Sequence, residues 1–165
     1  MAGLTTHCPV DWLFPPCGMD VARRVVRKWA SRARVRLEVE RSGSQVWVGL
    51  STKTQDVGYI ILDKLGGYRL KPRCEASVGR LVELFPAPPT VYRVVDVQVE
   101  PEFLGQGYGI QLYERALREA APTIVVSGGC TGMGTAPSAF RVWQSLAKRY
   151  PTAGSTPGDF AIAVH

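Results

Sequence analysis

Apolar and polar residues change their period repeatedly along this chain. In the segments RLEVER, QVWVGL and VGYIILD they alternate with period two, which puts the apolar side chains of each on one face of a strand. The first two segments are joined through Ser42-Gly43-Ser44, a hairpin signal. GYRLK, beginning at Gly67, reads as a further strand. The pattern predicts an antiparallel meander over residues 34–71. Ahead of it, Val21, Val25 and Trp29 recur at helical spacing with Ala22, Val26 and Ala30 beside them, and Asp20 can cap a helix over 21–33. Its other face carries Arg23, Arg24, Arg27, Lys28 and Arg32. Such a face is either solvated or a site for an anion such as nucleic acid. After the meander, SVGRLVELF predicts a short helix that Pro86 ends, and PAPP a surface loop.

The second half alternates strand and helix. YRVVDVQV is the most apolar strand, with Val95, Val97 and Val99 on one face and Val94, Asp96 and Gln98 on the other. IQLYERALREAA is a helix pairing Leu112 with Ala116 and Tyr113 with Leu117. Glu114 and Arg118 are set for an exposed pair on it. TIVVS reads as a buried strand and GGCTGMGTA as a glycine-rich loop. Pro137 suits the first turn of a helix through Arg149, with Phe140, Trp143, Leu146 and Tyr150 inward. DFAIAVH closes the chain as a strand. This order predicts an α+β or mixed α/β domain with at least one parallel crossover, spanning residues 1–165 as a single unit.

Composition narrows the setting. A chain of 165 residues fits one domain with a core of its own. No apolar run is long enough for a membrane span, and the N-terminus lacks the pattern of a signal peptide, so a cytoplasmic protein is expected. The cysteines at 8, 17, 74 and 130 form no CxxC pair and read as reduced thiols. His7, Cys8 and Cys17 lack the spacing of a zinc site, and no metal is expected. A net charge of +6 favours an anionic partner without choosing among a phosphorylated cofactor, a nucleic acid and an acidic substrate.

The informative stretch is VEPEFLGQGYG, residues 99–109. A strand runs through a proline and glycines 105, 107 and 109 into a helix. Glycine there costs chain entropy, and what it permits is close approach of a ligand to the backbone. The first N–H groups of the helix, unobstructed by side chains, can surround a phosphate. The segment lacks the Lys-Ser/Thr of a Walker A loop. It lacks the GxGxxG spacing and downstream acid of a dinucleotide fingerprint, and the following strand of a kinase loop.

VEPEFLGQGYGIQLYERAL resembles the acyl-CoA-binding signature of the GNAT superfamily of N-acetyltransferases: Val-x-Pro, a turn, then [Arg/Gln]-x-x-Gly-x-[Gly/Ala] opening a helix. Val99 and Pro101 take the strand-end positions, and Gly107 and Gly109 the small ones. Gly105 takes a glycine common in the family, and Leu104 stands where the family has Arg or Gln. The resemblance implies a central mixed, mostly antiparallel sheet flanked by helices. It also implies acetyl-CoA as cosubstrate and direct transfer of the acetyl group to a primary amine in a ternary complex. It places the cofactor against the backbone of Val97, Gln98 and Val99 and the turn from Leu104 through Gly105, Gln106, Gly107 and Tyr108 to Gly109. Ser138, near the start of the Trp143 helix, either reaches the cofactor as well or stabilises the first turn of its own helix. The main chain of the strand before the turn would polarise the carbonyl. The tyrosine that commonly protonates the departing thiolate is replaced by Trp143, which has no proton to give usefully. Tyr150 is the nearest alternative.

Asp96 is the one carboxylate inside the strand before the turn, and it is the candidate base if burial raises its pKa; otherwise it partners an arginine. Cys130 as a nucleophile lacks a histidine, since His7 and His165 lie near the chain ends. Arg141 and Arg149 are candidates for a phosphate. Three functions stay open: an acyl-CoA-dependent N-acyltransferase, a catalytically degenerate relative that binds CoA or a partner, and an unrelated nucleic-acid-binding domain. The acceptor, whether a protein, a small amine or charged tRNA, is not legible. A homodimer is expected only from the family's habit.

Overall fold

A computed structural model describes residues 35–154 and 158–165. The expected helix over 21–33 and its basic face, together with His7 and the cysteines at 8 and 17, lie outside the described residues. Among the described residues seven strands form one sheet in the order β1-β2-β3-β4-β5-β7-β6. They are β1 (Arg36–Ser42), β2 (Gln45–Ser51), β3 (Asp56–Lys64), β4 (Thr90–Val99), β5 (Thr123–Val126), β6 (Thr152–Ala153) and β7 (Ala161–Val164). Only β4 and β5 pair in parallel; the other neighbours are antiparallel. The helices among the described residues are α1 (Pro72–Val82), α2 (Tyr108–Ala120) and α3 (Pro137–Leu146). This is the mixed, mostly antiparallel architecture flanked by helices that the resemblance implied.

The hydrophobic alternation explains the layers. Val46, Val48 and Leu50 of β2, with Ile60 and Leu62 of β3, join Leu112, Tyr113, Ala116 and Leu117 of α2 and Trp143 and Leu146 of α3 in one buried cluster. A second cluster lies where Cys74, Val78 and Leu81 of α1 meet Ile124, Val126, Ala161 and Ala163. β5 and β7 are buried throughout, as strands covered on both faces must be.

Several expectations are corrected. GYRLK is not a strand: β3 already pairs with β2 on one side and β4 on the other, so no edge is left for it. Tyr68 instead lies over the Arg93 guanidinium, 3.6 Å from centroid to Cζ. The helix expected from Ser77 begins at Pro72, whose fixed φ suits the first turn. Glu114 pairs with Arg149 rather than Arg118, because the end of α3 comes alongside α2. Cys74 and Cys130 are joined in a disulfide across 56 residues, so those two cysteines are not reduced thiols.

The correction that matters most is in β4. Ile61 faces Asp96 but Leu62 faces Val94, so Val95 is an extra residue, a β-bulge. A one-residue slip exchanges the faces of a strand. Tyr92 and Val94 therefore point into the main core before the bulge, and Val97 and Val99 pack against it afterwards. Val94 does not share a face with Asp96 and Gln98.

Candidate functional site: a cleft at the end of β4

Parallel pairing of β4 with β5 runs from Thr90↔Thr123 to Arg93↔Val126 and stops. β4 continues through the bulge to Val99, while the chain after β5 turns into a short 3-10 segment, Gly128–Thr131. The two strands part at this point, and among the described residues the far half of β4 has no strand neighbour on that side. A cleft of about 550 Å³ opens along it. Its walls are the end of β4, the glycine turn, the start of α2 and the N-terminal half of α3.

The turn itself is tightly wound. Glu100 leads into a 3-10 segment over Pro101–Phe103. Gly105 has φ +71° and Gly107 φ +86°, both in the left-handed region that favours glycine. Gly107 is the residue from which α2 starts. It offers no side-chain cap, and the first turn of α2 carries no acidic residue. The positive end of the helix dipole is therefore free of competing negative side chains. A side chain added at Gly105 would meet nothing within 4 Å, and at Gly109 only the Val142 side chain at 3.7 Å. Among the described residues nothing fills the space left at Gly105, and only Val142 borders that at Gly109.

Nine of the residues singled out from the sequence line this cleft: Val97, Gln98, Val99, Leu104, Gly105, Gly107, Tyr108, Gly109 and Ser138. Gln106 does not; its amide donates back to the Glu102 carbonyl at 2.8 Å. Leu104 is 62% exposed, an apolar side chain where the resemblance leads one to expect a polar one. Ser138 sits in the first turn of α3 behind Pro137, and Arg141 one turn further on also lines the cleft. Arg149 is occupied by Glu114.

Asp96 is exposed rather than buried, and it is not part of the cleft wall. One carboxylate oxygen accepts from the Tyr59 hydroxyl at 2.7 Å, the other from the Val97 N–H at 2.8 Å. Its partner is thus a tyrosine and the main chain, not an arginine. The hydrogen bond to Asp96 also holds the Tyr59 phenol above the usual tyrosine range. Among the described residues lining the cleft there is no carboxylate and no histidine.

The second glycine-rich loop contributes differently. Ser127 donates to the Gly158 carbonyl at 2.6 Å and accepts from the Phe160 N–H at 3.1 Å, so it ties the loop to the last strand. Cys130 is bonded to Cys74, which removes it as a nucleophile. Asp159 lies beside that pair and is held by Arg73. Two sulfurs bonded to each other leave no thiolate for a metal there.

Trp143 is 1% exposed and does not reach the cleft. Tyr150 is half-buried against the core, and it too is absent from the cleft. A residue the sequence reading passed over is Tyr113, which lines the cleft from α2. Its helical pairing with Leu117 marked it as core. The available signal was a hydroxyl on an otherwise apolar stripe.

No protein-family model matches the chain, and no curated protein matches it either. Among solved structures it is similar to the ribosomal-protein-S18-alanine N-acetyltransferase from Escherichia coli, at 15% identity and a TM-score of 0.39, over 82% of this chain and 72% of that one. It is also similar to FeeM, an N-acyl amino acid synthase from uncultured soil microbes, at 16% identity and a TM-score of 0.40, over 92% of this chain and 85% of that one. Similarity this distant leaves the chain's own cleft as the basis for any functional reading.

Proposed function

We propose that this chain is an acyl-CoA-dependent N-acyltransferase of the GNAT kind, taking acetyl-CoA and a primary amine. The observation that carries the reading is the unfilled cleft between the unpaired end of β4 and a left-handed glycine turn at a helix N-terminus. The backbone of residues 105–109 would cradle the pyrophosphate, with the α2 dipole favouring its charge. Arg141, the cationic side chain among the described residues that line the cleft, would meet the cofactor's phosphates. Val97 and Val99 supply an apolar wall along which an extended ligand can lie, while the free edge of β4 offers main-chain hydrogen bonds to it. The group would be acetyl-CoA as a cosubstrate; its thioester supplies the activated acyl carbonyl.

The chain's own contribution to transfer would be mainly alignment of the two reactants, which alone can supply much of a rate enhancement. With no carboxylate or histidine on the described cleft wall, the amine's proton would leave through water rather than directly to Asp96. The same observation supports a second reading, a CoA-binding module that has lost transfer.

Calorimetric titration with acetyl-CoA and with CoA tests the first step. Micromolar binding is expected, weakened at least about 100-fold in Gly107→Trp, whose side chain would fill the cradle. No binding by the parent protein at millimolar ligand would remove both readings. Binding without release of free thiol in the presence of a panel of amines would favour the binding module.

A further inference from the structure

The second glycine-rich turn holds a cluster of side chains that the cleft does not use. Cys74 lies in the first turn of α1, Cys130 in the 3-10 segment after β5, and Asp159 just ahead of β7. All three are buried, and their two sulfurs and a carboxylate oxygen lie within 4.8 Å of one another. Oδ1 of Asp159 comes within 3.7 Å of the Cys74 sulfur. A disulfide sulfur has no proton to donate, so this approach gives the bridge nothing. It becomes useful once the sulfurs are separate thiolates that share a cation with the carboxylate.

The backbone holds the three segments together without the bridge. The Ser127 hydroxyl donates to the Gly158 carbonyl at 2.6 Å and accepts from the Phe160 N–H at 3.1 Å, which sets the Asp159 segment against the Cys130 segment. The Lys71 N–H donates to the Cys130 carbonyl at 3.0 Å, which sets the start of α1 against both. The Cα atoms of Cys74 and Cys130 are 5.7 Å apart. Ligand atoms on one tetrahedral zinc lie about 3.5–3.8 Å from each other. Rotation of the cysteine side chains can open the sulfurs to that distance from this Cα spacing.

The charges fit as well. Arg73 pairs with the other Asp159 oxygen. Two thiolates and a carboxylate would put three negative charges beside the apolar cluster of Val78, Leu81, Ile124 and Val126. A divalent ion and the Arg73 guanidinium cancel them, where an unneutralised set would be costly. The Arg73 side chain is 63% exposed, so the ligands lie one side chain beneath the surface. Two sulfurs with one carboxylate oxygen suit zinc rather than magnesium or calcium, which favour oxygen alone.

We propose that the reduced protein binds one zinc ion through the Cys74 and Cys130 thiolates and the Asp159 carboxylate, with water in the fourth position. The disulfide is then the metal-free form of the same site. A dithiol reductant supplies two electrons and two protons to the bridge and is itself oxidised to a disulfide. Zinc displaces the two thiol protons into solvent. None of the three ligands lines the cleft, so the site stands or falls apart from the acyl-CoA reading.

The test uses the full chain with Cys8→Ser and Cys17→Ser, so that only the described cysteines respond. Cobalt is titrated into the oxidised protein and into protein reduced by a phosphine, which competes little for the metal. The reduced form is expected to take one equivalent, with the visible bands of four-coordinate cobalt and near-ultraviolet thiolate-to-cobalt charge transfer. The oxidised form is expected to show neither. Zinc should displace the cobalt, and X-ray absorption at the zinc edge should show two sulfurs at about 2.3 Å and oxygen at about 2.0 Å. Asp159→Asn should weaken zinc at least about tenfold while keeping the charge transfer. No such cobalt spectrum from the reduced protein would overturn the proposal. So would the same spectrum from the oxidised protein, a zinc edge with any other number of sulfurs, or unchanged zinc affinity in Asp159→Asn. The edge measurement needs no variant and decides the ligand set even if Asp159→Asn misfolds. If reduction unfolds the metal-free protein, zinc is expected to restore its circular dichroism. A reduced chain that stays unfolded with zinc would overturn the proposal too.

Discussion

The two glycine-rich turns of this chain look alike as composition and behave as opposites. Residues 105–109 keep their glycines for conformation and for space left open: φ is positive at Gly105 and Gly107, and nothing lies near the position of a Gly105 side chain. In residues 128–134 the crucial glycines are there because the space is already taken. A Cβ on Gly129 would run into the Gly158 backbone, and one on Gly128 would lie 2.8 Å from the Gly134 carbonyl oxygen. The first turn is built to receive something. The second is packed, tied by Ser127 to the last strand and by Cys130 to α1. Glycine content marks a place where backbone must come close to something; only the neighbours say whether that something is ligand or protein.

This contrast can be attacked from the packed side first. Cys130→Ser breaks the tie to α1 and should lower unfolding stability by about 4 kcal/mol, the loop-closure value for a bridge of this span. Urea unfolding of the oxidised proteins measures it, and an unchanged midpoint would mean that the second turn does not depend on the bridge. Next is a pair of identical changes. Gly129→Ala should cost about 3 kcal/mol, since backbone rather than a flexible side chain must move. Gly105→Ala should cost about 1 kcal/mol, for its left-handed φ alone. Equal losses in a thermal melt would erase the distinction between the turns. The smallest effect sharpens the open side. Leu104→Arg introduces a cationic side chain beside the proposed cradle and should tighten CoA binding about threefold, the modest gain of an exposed ionic contact. Weaker binding by that variant would place the phosphates away from residue 104.

β4 shows how far periodicity carries. Alternation identified the strand, the glycine spacing identified the turn, and eight of the residues singled out on these two elements line the cleft. Asp96 shows where it stopped. Its position within an apolar strand suggested burial near an amine site, but the Val95 bulge resets the faces and Asp96 ends exposed, bonded to Tyr59. A bulge is decided by how the partner strand is placed, and local sequence carries little of that information. Tyr113 shows a related limit: helical spacing put it on the buried stripe beside Leu117, where it is, but did not say that this stripe also borders the cleft.

By itself the sequence determined the first three strands of the meander, the strand–turn–helix unit and the likeness of that unit to an acyl-CoA-binding signature. Those features depend on residues close together in the chain, through side-chain period, the fixed φ of proline and the freedom of glycine. Tertiary structure alone decided the parting of β4 from β5, the Cys74–Cys130 bridge, the pairing of Glu114 with Arg149 and the edge-on contact of Tyr113 with Trp143. Each joins residues far apart in the chain, whose approach is set by the packing of the whole sheet and its helices rather than by any local preference.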